Sequence, residues 1–160
     1  MKNIRLLLTL AGCSLLGTTV YAHDKSAPLN DDQKAFLSQY EAVRAALAAD
    51  DLAATKKAAA AIPTQPKTPL KEPLTEEQQD RQAKFAGLVK KIATADSLKT
   101  ARAEFKALSK RAIHYAEGKE GYFVANCPMV EGGEGDWVQT SKKISNPYFG
   151  KSMLTCGSIK

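Results

Sequence analysis

The sequence predicts an all-α fold: an antiparallel four-helix bundle closed by an irregular, loop-rich C-terminal cap that contains short strands. Three observations predict it. Apolar residues recur at intervals of three and four between Asn30 and Gly118, the period of helices that bury one face. Pro63, Pro66, Pro69 and Pro73 crowd a single stretch and divide that region into two helical hairpins. Beyond Gly121 the period is lost, and Gly132, Gly133, Gly135, Pro147 and Gly150 interrupt the C-terminal forty residues or so. A chain of 160 residues carries this as one domain, with the bundle over about 31–117 and the cap over about 122–160.

The first helix opens at Asn30 or Asp31, either of which can accept from the free N–H groups of a first turn, and it sets Phe36, Tyr40, Val43 and Leu47 on one face. A second, alanine-rich helix follows the acidic pair Asp50-Asp51 and stops at Pro63, which has no N–H for the next helical bond. Its small side chains call for close packing. Thr75 and Gln78 have capping-box spacing at the head of the third helix, whose buried face is Phe85, Leu88 and Ile92. Asp96 or Ser97 restarts the chain into the fourth. That helix turns Leu98, Ala101, Phe105, Leu108, Ala112 and Tyr115 inward and ends near Gly118.

Lys2 and Arg5 precede an apolar run from Leu6 to Val20 that ends in the small-residue motif Val20-Tyr21-Ala22, so residues 1–22 read as a signal peptide cleaved after Ala22. The mature domain is then 23–160 and its location periplasmic or otherwise exported. Leu10-Ala11-Gly12-Cys13 offers the alternative of a lipid anchor at Cys13, against which stand the apolar residues that continue past that cysteine. No other stretch is long and apolar enough to span a bilayer. Losing Lys2 and Arg5 lowers the formal net charge of +6 by two. The remaining excess is spread through the helices as Lys-Lys and Lys-Arg pairs, with no block of like charge and no interleaved aromatics, which argues against a nucleic-acid partner.

Cleavage also removes Cys13 and leaves Cys127 and Cys156 in an oxidising compartment. Apart from Met1, every methionine lies in the cap: Met129 two residues after Cys127, and Met153 three residues before Cys156. A disulfide needs only the cysteines, and a packed core needs only the methionines. Thiolate and thioether together are the donors that select Cu(I), whereas zinc prefers thiolate and imidazole. On the residues alone, a soft-metal site and a plain structural disulfide both stand open.

His114, near the end of the fourth helix, is a further candidate ligand, and equally a cation suited to a helix C-terminus. His23, as the mature N-terminal residue, would add an amine and an imidazole for Cu(II), against the ordinary expectation of a disordered terminus. Trp137 suits either a cation–π shield over a bound ion or, more simply, the seam between cap and bundle. Glu131, Glu134 and Asp136 supply hard oxygens, but among glycines they read as a hydrated loop rather than a calcium site. Asn146 to Gly150 has turn chemistry that would set the approach of Met153 and Cys156 toward Cys127.

The cap resembles the C-terminal signature of the DUF3347 family, a helical domain of exported bacterial proteins that also occurs fused to periplasmic adaptor subunits of heavy-metal efflux pumps. The matching residues are Cys127-Pro128-Met129, Gly135 with Trp137, Ile144 with Asn146-Pro147-Tyr148-Phe149-Gly150, and Met153-Leu154 with Cys156-Gly157. The helices match more loosely, from Ala45 to Ala59 and from Phe105 to Ile113. The resemblance implies a metal-handling role, with copper as the metal and the Cys and Met positions as ligands.

No serine elbow, Gly-rich phosphate cradle, Cys-x-x-Cys motif or suitably placed carboxylate pair is present, so catalysis has no support. The expectation is a non-enzymatic, exported protein that sequesters or hands on Cu(I), or Ag(I) with its like preferences, through Cys127, Met129, Met153, Cys156 and His114. Its partner would be a periplasmic efflux or copper-delivery protein. The alternative is an interaction module whose cap is pinned by a Cys127–Cys156 disulfide and whose cationic helices dock a partner.

Overall fold

A computed structural model of the chain describes residues 27–67, 72–133 and 135–160. The signal peptide, the Cys13 anchor, His23 and Glu134 lie outside the described residues.

Each helix begins on a side chain that accepts from its first turn. Helix α1 (Asp31–Ala48) opens with a reciprocal pair: the Gln33 N–H donates to the Asn30 side chain at 2.8 Å, and the Asn30 N–H donates to the Gln33 side chain at 2.9 Å. Helix α2 (Leu52–Ala60) follows a sharp corner at Asp50, and the Ala54 N–H donates to Asp51 at 2.8 Å. Helix α3 (Glu76–Ala93) begins on the Thr75–Gln78 capping box, and α4 (Leu98–Ala116) on Ser97. Residues 61–67 and 72–75, among the prolines, are not helical. No described helix is long and apolar enough to cross a membrane.

The helices form a bundle in which α1 packs on α2 and α4, α2 on α3, and α3 on α4. Phe36, Tyr40, Val43 and Leu47 are buried, as their spacing predicts. Two faces are rotated slightly from expectation. On α3 the buried triplet is Phe85, Val89 and Ile92, with Leu88 at its edge; on α4, Ser109 and Ala116 go inward while Leu98 and Tyr115 are only half-buried. Both shifts turn the helix by about one residue, within the width of an apolar stripe.

The cap carries short strands, as expected, and they assemble into one sheet. Strands β1 (Phe123–Asn126), β2 (Asp136–Gln139) and β3 (Ser158–Ile159) make an antiparallel sheet in the order β2-β1-β3. Strand β2 lies against α4 and α1, and Ala125, Cys127, Val130, Trp137, Val138 and Tyr148 join the helices in one continuous core. Buried hydroxyls stitch the two halves together. Tyr40 shares a 3.0 Å hydrogen bond with Ser109 and accepts the Val138 N–H at 3.1 Å, while Tyr148 donates to the Asp136 carbonyl at 2.7 Å. Burial pushes the Tyr40 phenol far above its ordinary value, so it stays a neutral hydrogen-bonding group.

Candidate functional site

Sheet register brings the two cysteines together. In the β1–β3 pair, Asn126 stands opposite Ser158 and Ala125 opposite Ile159. Continuing that register past both strand ends sets Cys127 opposite Gly157, the immediate neighbour of Cys156. The two Sγ atoms are 2.8 Å apart, although 29 residues separate them in the chain. Cys127 is fully buried and its N–H donates to the Gly135 carbonyl at 3.0 Å; Cys156 is half-buried, in the turn before β3.

Gly157 makes this approach possible. Its φ is +129°, and a Cβ there would stand 2.7 Å from the Asn126 carbonyl oxygen and 2.9 Å from the Trp137 ring, so a larger residue would push the Cys156 turn off the sheet. Trp137 itself is fully buried, its indole N–H donating to Gln139 at 2.9 Å and its ring edge-on to Tyr148, which makes it the seam residue.

Asn146 holds the turn from the other side. Its side-chain amide donates to the Cys156 carbonyl at 2.9 Å, and its side-chain oxygen accepts the Tyr148 N–H at 2.8 Å. Its backbone N–H donates to the Leu154 carbonyl at 2.8 Å. Two arginines clamp the flanking segment to the bundle. Arg44 on α1 donates to the Ser145 carbonyl at 2.9 Å, and Arg102 on α4 donates to the Pro147 carbonyl at 2.8 Å and to Asp50 at 2.5 Å. Asp50 in turn accepts the Lys151 N–H at 3.0 Å. The Arg102 guanidinium, then the Lys151 N–H, hold the Asp50 carboxyl below the usual carboxylate range.

Met153 shares this turn, its carbonyl accepting the Cys156 N–H at 3.0 Å, and its side chain is half-buried. Met129, two residues beyond Cys127, is 62% exposed. His114 sits exposed in the last turn of α4, its ring 5.5 Å from that of Tyr115, which packs edge-on against Phe36 of α1. Asp136 is engaged within the sheet by Asn126 and Lys160, both at 2.6 Å. Among the described residues, no three of His, Cys, Asp and Glu gather into a group that could hold an ion.

The Cys127–Cys156 contact, and burial after it, push the Cys156 thiol above its ordinary value. A soft ion bound by both sulfurs asks for more room than they now have. With metal–thiolate bonds of about 2.3 Å, two sulfurs on one ion stand roughly 3.7 Å or more apart, so the pair would open by about 1 Å. Cys156, half-exposed on a turn, is the partner able to move. Thiolates are donors suited to a soft monovalent ion, and among the described residues the dispersed carboxylates offer nothing to a hard one.

A helical bundle with a small β-sheet cap that closes over a cysteine pair is thus the class of molecule defined by fold and site. The family model described as "Protein of unknown function (DUF3347)" matches residues 36–121, and the chain belongs to that family. The match covers α2, α3, α4 and all but the first five residues of α1, while the sulfur-bearing cap lies beyond it. Neither a curated protein nor a solved structure matches the chain.

Asn146, Tyr148, Arg44 and Arg102 carry the site's geometry, and sequence reasoning did not single them out individually. Asn146 and Tyr148 stood in the turn motif. Nothing in the pattern of the helices marks Arg44, which is buried, or Arg102 as cap clamps.

Proposed function

We propose that the protein is an exported copper-binding protein that sequesters Cu(I) or hands it on, with Cys127 and Cys156 as thiolate ligands and Met129 and Met153 as thioether ligands. One observation carries the reading: thiols 29 residues apart converge to 2.8 Å, each with a methionine within three residues along the chain. Two thiolates neutralise the ion and leave it soft, and thioethers add coordination without charge or a titrating proton. The helices, as an antiparallel four-helix bundle, serve as the rigid platform on which the cap is clamped. His114, exposed in the last turn of α4, stands as a further candidate ligand. Reduced protein given Cu(I) should carry about one copper per chain through gel filtration, the occupancy of a single site; protein that emerges without copper would end the proposal.

A second reading is favoured by the same distance. At 2.8 Å the sulfurs are closer than one shared ion permits and within easy reach of a disulfide, which would pin β1 to the Cys156 turn in a non-catalytic interaction module. Intact mass of protein taken directly from copper-supplied cells separates the two. Copper retained with both thiols reduced supports the first reading, and a mass lacking the two thiol hydrogens supports the second.

A further inference from the structure

A groove of about 390 Å³ opens at the other working face of the bundle, lined by residues from α1, the proline-rich connector, α3 and the end of α4, and by none from the cap. Its apolar wall is an aromatic cluster: Phe36 meets Phe85 edge-on at 5.8 Å and Tyr115 at 5.6 Å. Against this wall lies Arg111, half-buried, with its guanidinium carbon 3.9 Å from the centre of the Phe85 ring and 5.7 Å from that of Tyr115. Both distances are within cation–π range, so the rings restrain the guanidinium.

The other polar groups of the groove are committed. Gln33 and Gln78 close capping boxes, Gln82 donates to Gln65 and to the Thr64 carbonyl, Arg81 pairs with Glu77 at 2.7 Å, and Asp32 accepts the Lys67 N–H. Among the described residues, no carboxylate or carbonyl accepts from Arg111. A planar fork of donors is therefore offered to the groove, next to an aromatic wall.

We propose that this groove binds a small organic monocarboxylate with an apolar or aromatic body. The carboxylate would take a forked pair of hydrogen bonds from Arg111, and the body would lie against Phe36, Phe85 and Tyr115. Its volume is within the range of small-ligand sites. Asp32 in the lining disfavours ligands with several negative charges. The site is independent of the cysteine pair, so it stands or falls apart from copper binding.

Hydrocinnamate is a suitable probe and its neutral amide the control, titrated into the full chain while the Arg111 Nε–H and the Phe36, Phe85 and Tyr115 ring signals are followed by NMR. The acid should shift these signals saturably and bind at least about tenfold more tightly than the amide, the least a lost charge-assisted hydrogen bond should cost. Arg111→Gln should remove that preference and Arg111→Lys should reduce it, because a single ammonium keeps the charge but cannot form the fork. No saturable shift at millimolar probe, equal binding of acid and amide, or an undiminished preference in Arg111→Lys would overturn the proposal. The acid–amide comparison on the unaltered chain decides the matter even if Arg111→Gln fails to fold.

Discussion

Leucine in place of both Met129 and Met153 separates ligation from packing. The exchange keeps volume and apolarity at a cost below about 1.5 kcal/mol, and 62% exposure at Met129 means that side chain contributes little to the core in any case. Competition against a Cu(I) chelator should show clearly weakened binding with an unchanged unfolding midpoint; equal affinity would leave the thioethers no role. Asn146→Ala acts in the opposite sense. It removes the bonds to Cys156 and to the Tyr148 N–H, both within the interior, and should cost about 3 kcal/mol in denaturant unfolding, since groups left unpaired there lose roughly 1–3 kcal/mol each. At this scale the sequence pointed to two cysteines that the fold brings together, and not to what holds them. Cysteine and methionine announce themselves by type, whereas Asn146 works through partners up to ten residues away, such as Cys156, that only the folded turn supplies.

Among the elements, α1 to α4 were legible because their signals are local. Thr75 with Gln78 forms the reciprocal cap its spacing predicts, and Asn30, one of the two caps expected for α1, forms a second with Gln33. Short strands in the cap were legible, but their pairing was not. Strand β3 is two residues long and pairs with a strand more than thirty residues earlier, so no periodicity could reveal it. The link between cap and bundle at Asp50 is open to a pH test. Its carboxyl is held below the ordinary value, so the stability it adds is fully present above the unfolded pKa of about 4 and is lost as pH falls through the lower folded value. Asp50→Asn retains a residue type that tolerates the φ of +60° at this corner, and removes the charge together with one of the two oxygen acceptors that Arg102 and the Lys151 N–H use. Wild type should be more stable than the variant at pH 7, with the difference shrinking below about pH 4 in urea titrations. A gap that stays constant down to about pH 2, below the ordinary carboxylate range, would remove Asp50 from the clamp.

For the whole molecule, the bundle and cap are one folding unit. Tyr40, Ser109, Phe105 and Tyr148 meet across the boundary that the loss of helical period suggested near Gly118, and the core runs through it without a break. A chain ending at Gly118 should keep helical circular dichroism but lose its sharp thermal transition, because the faces of α1 and α4 under β2 would be left bare; a cooperative transition would make the bundle an independent domain. The same continuity ties Cys127 into the shared core, the support that the proposed copper site would need. X-ray absorption at the copper edge, on reduced protein loaded with one equivalent of Cu(I), tests the central claim most directly. The expected spectrum is that of Cu(I) with a sulfur-only first shell that is lost when Cys127 and Cys156 are both changed to serine; a nitrogen or oxygen shell, or a spectrum indifferent to the serine changes, would contradict it.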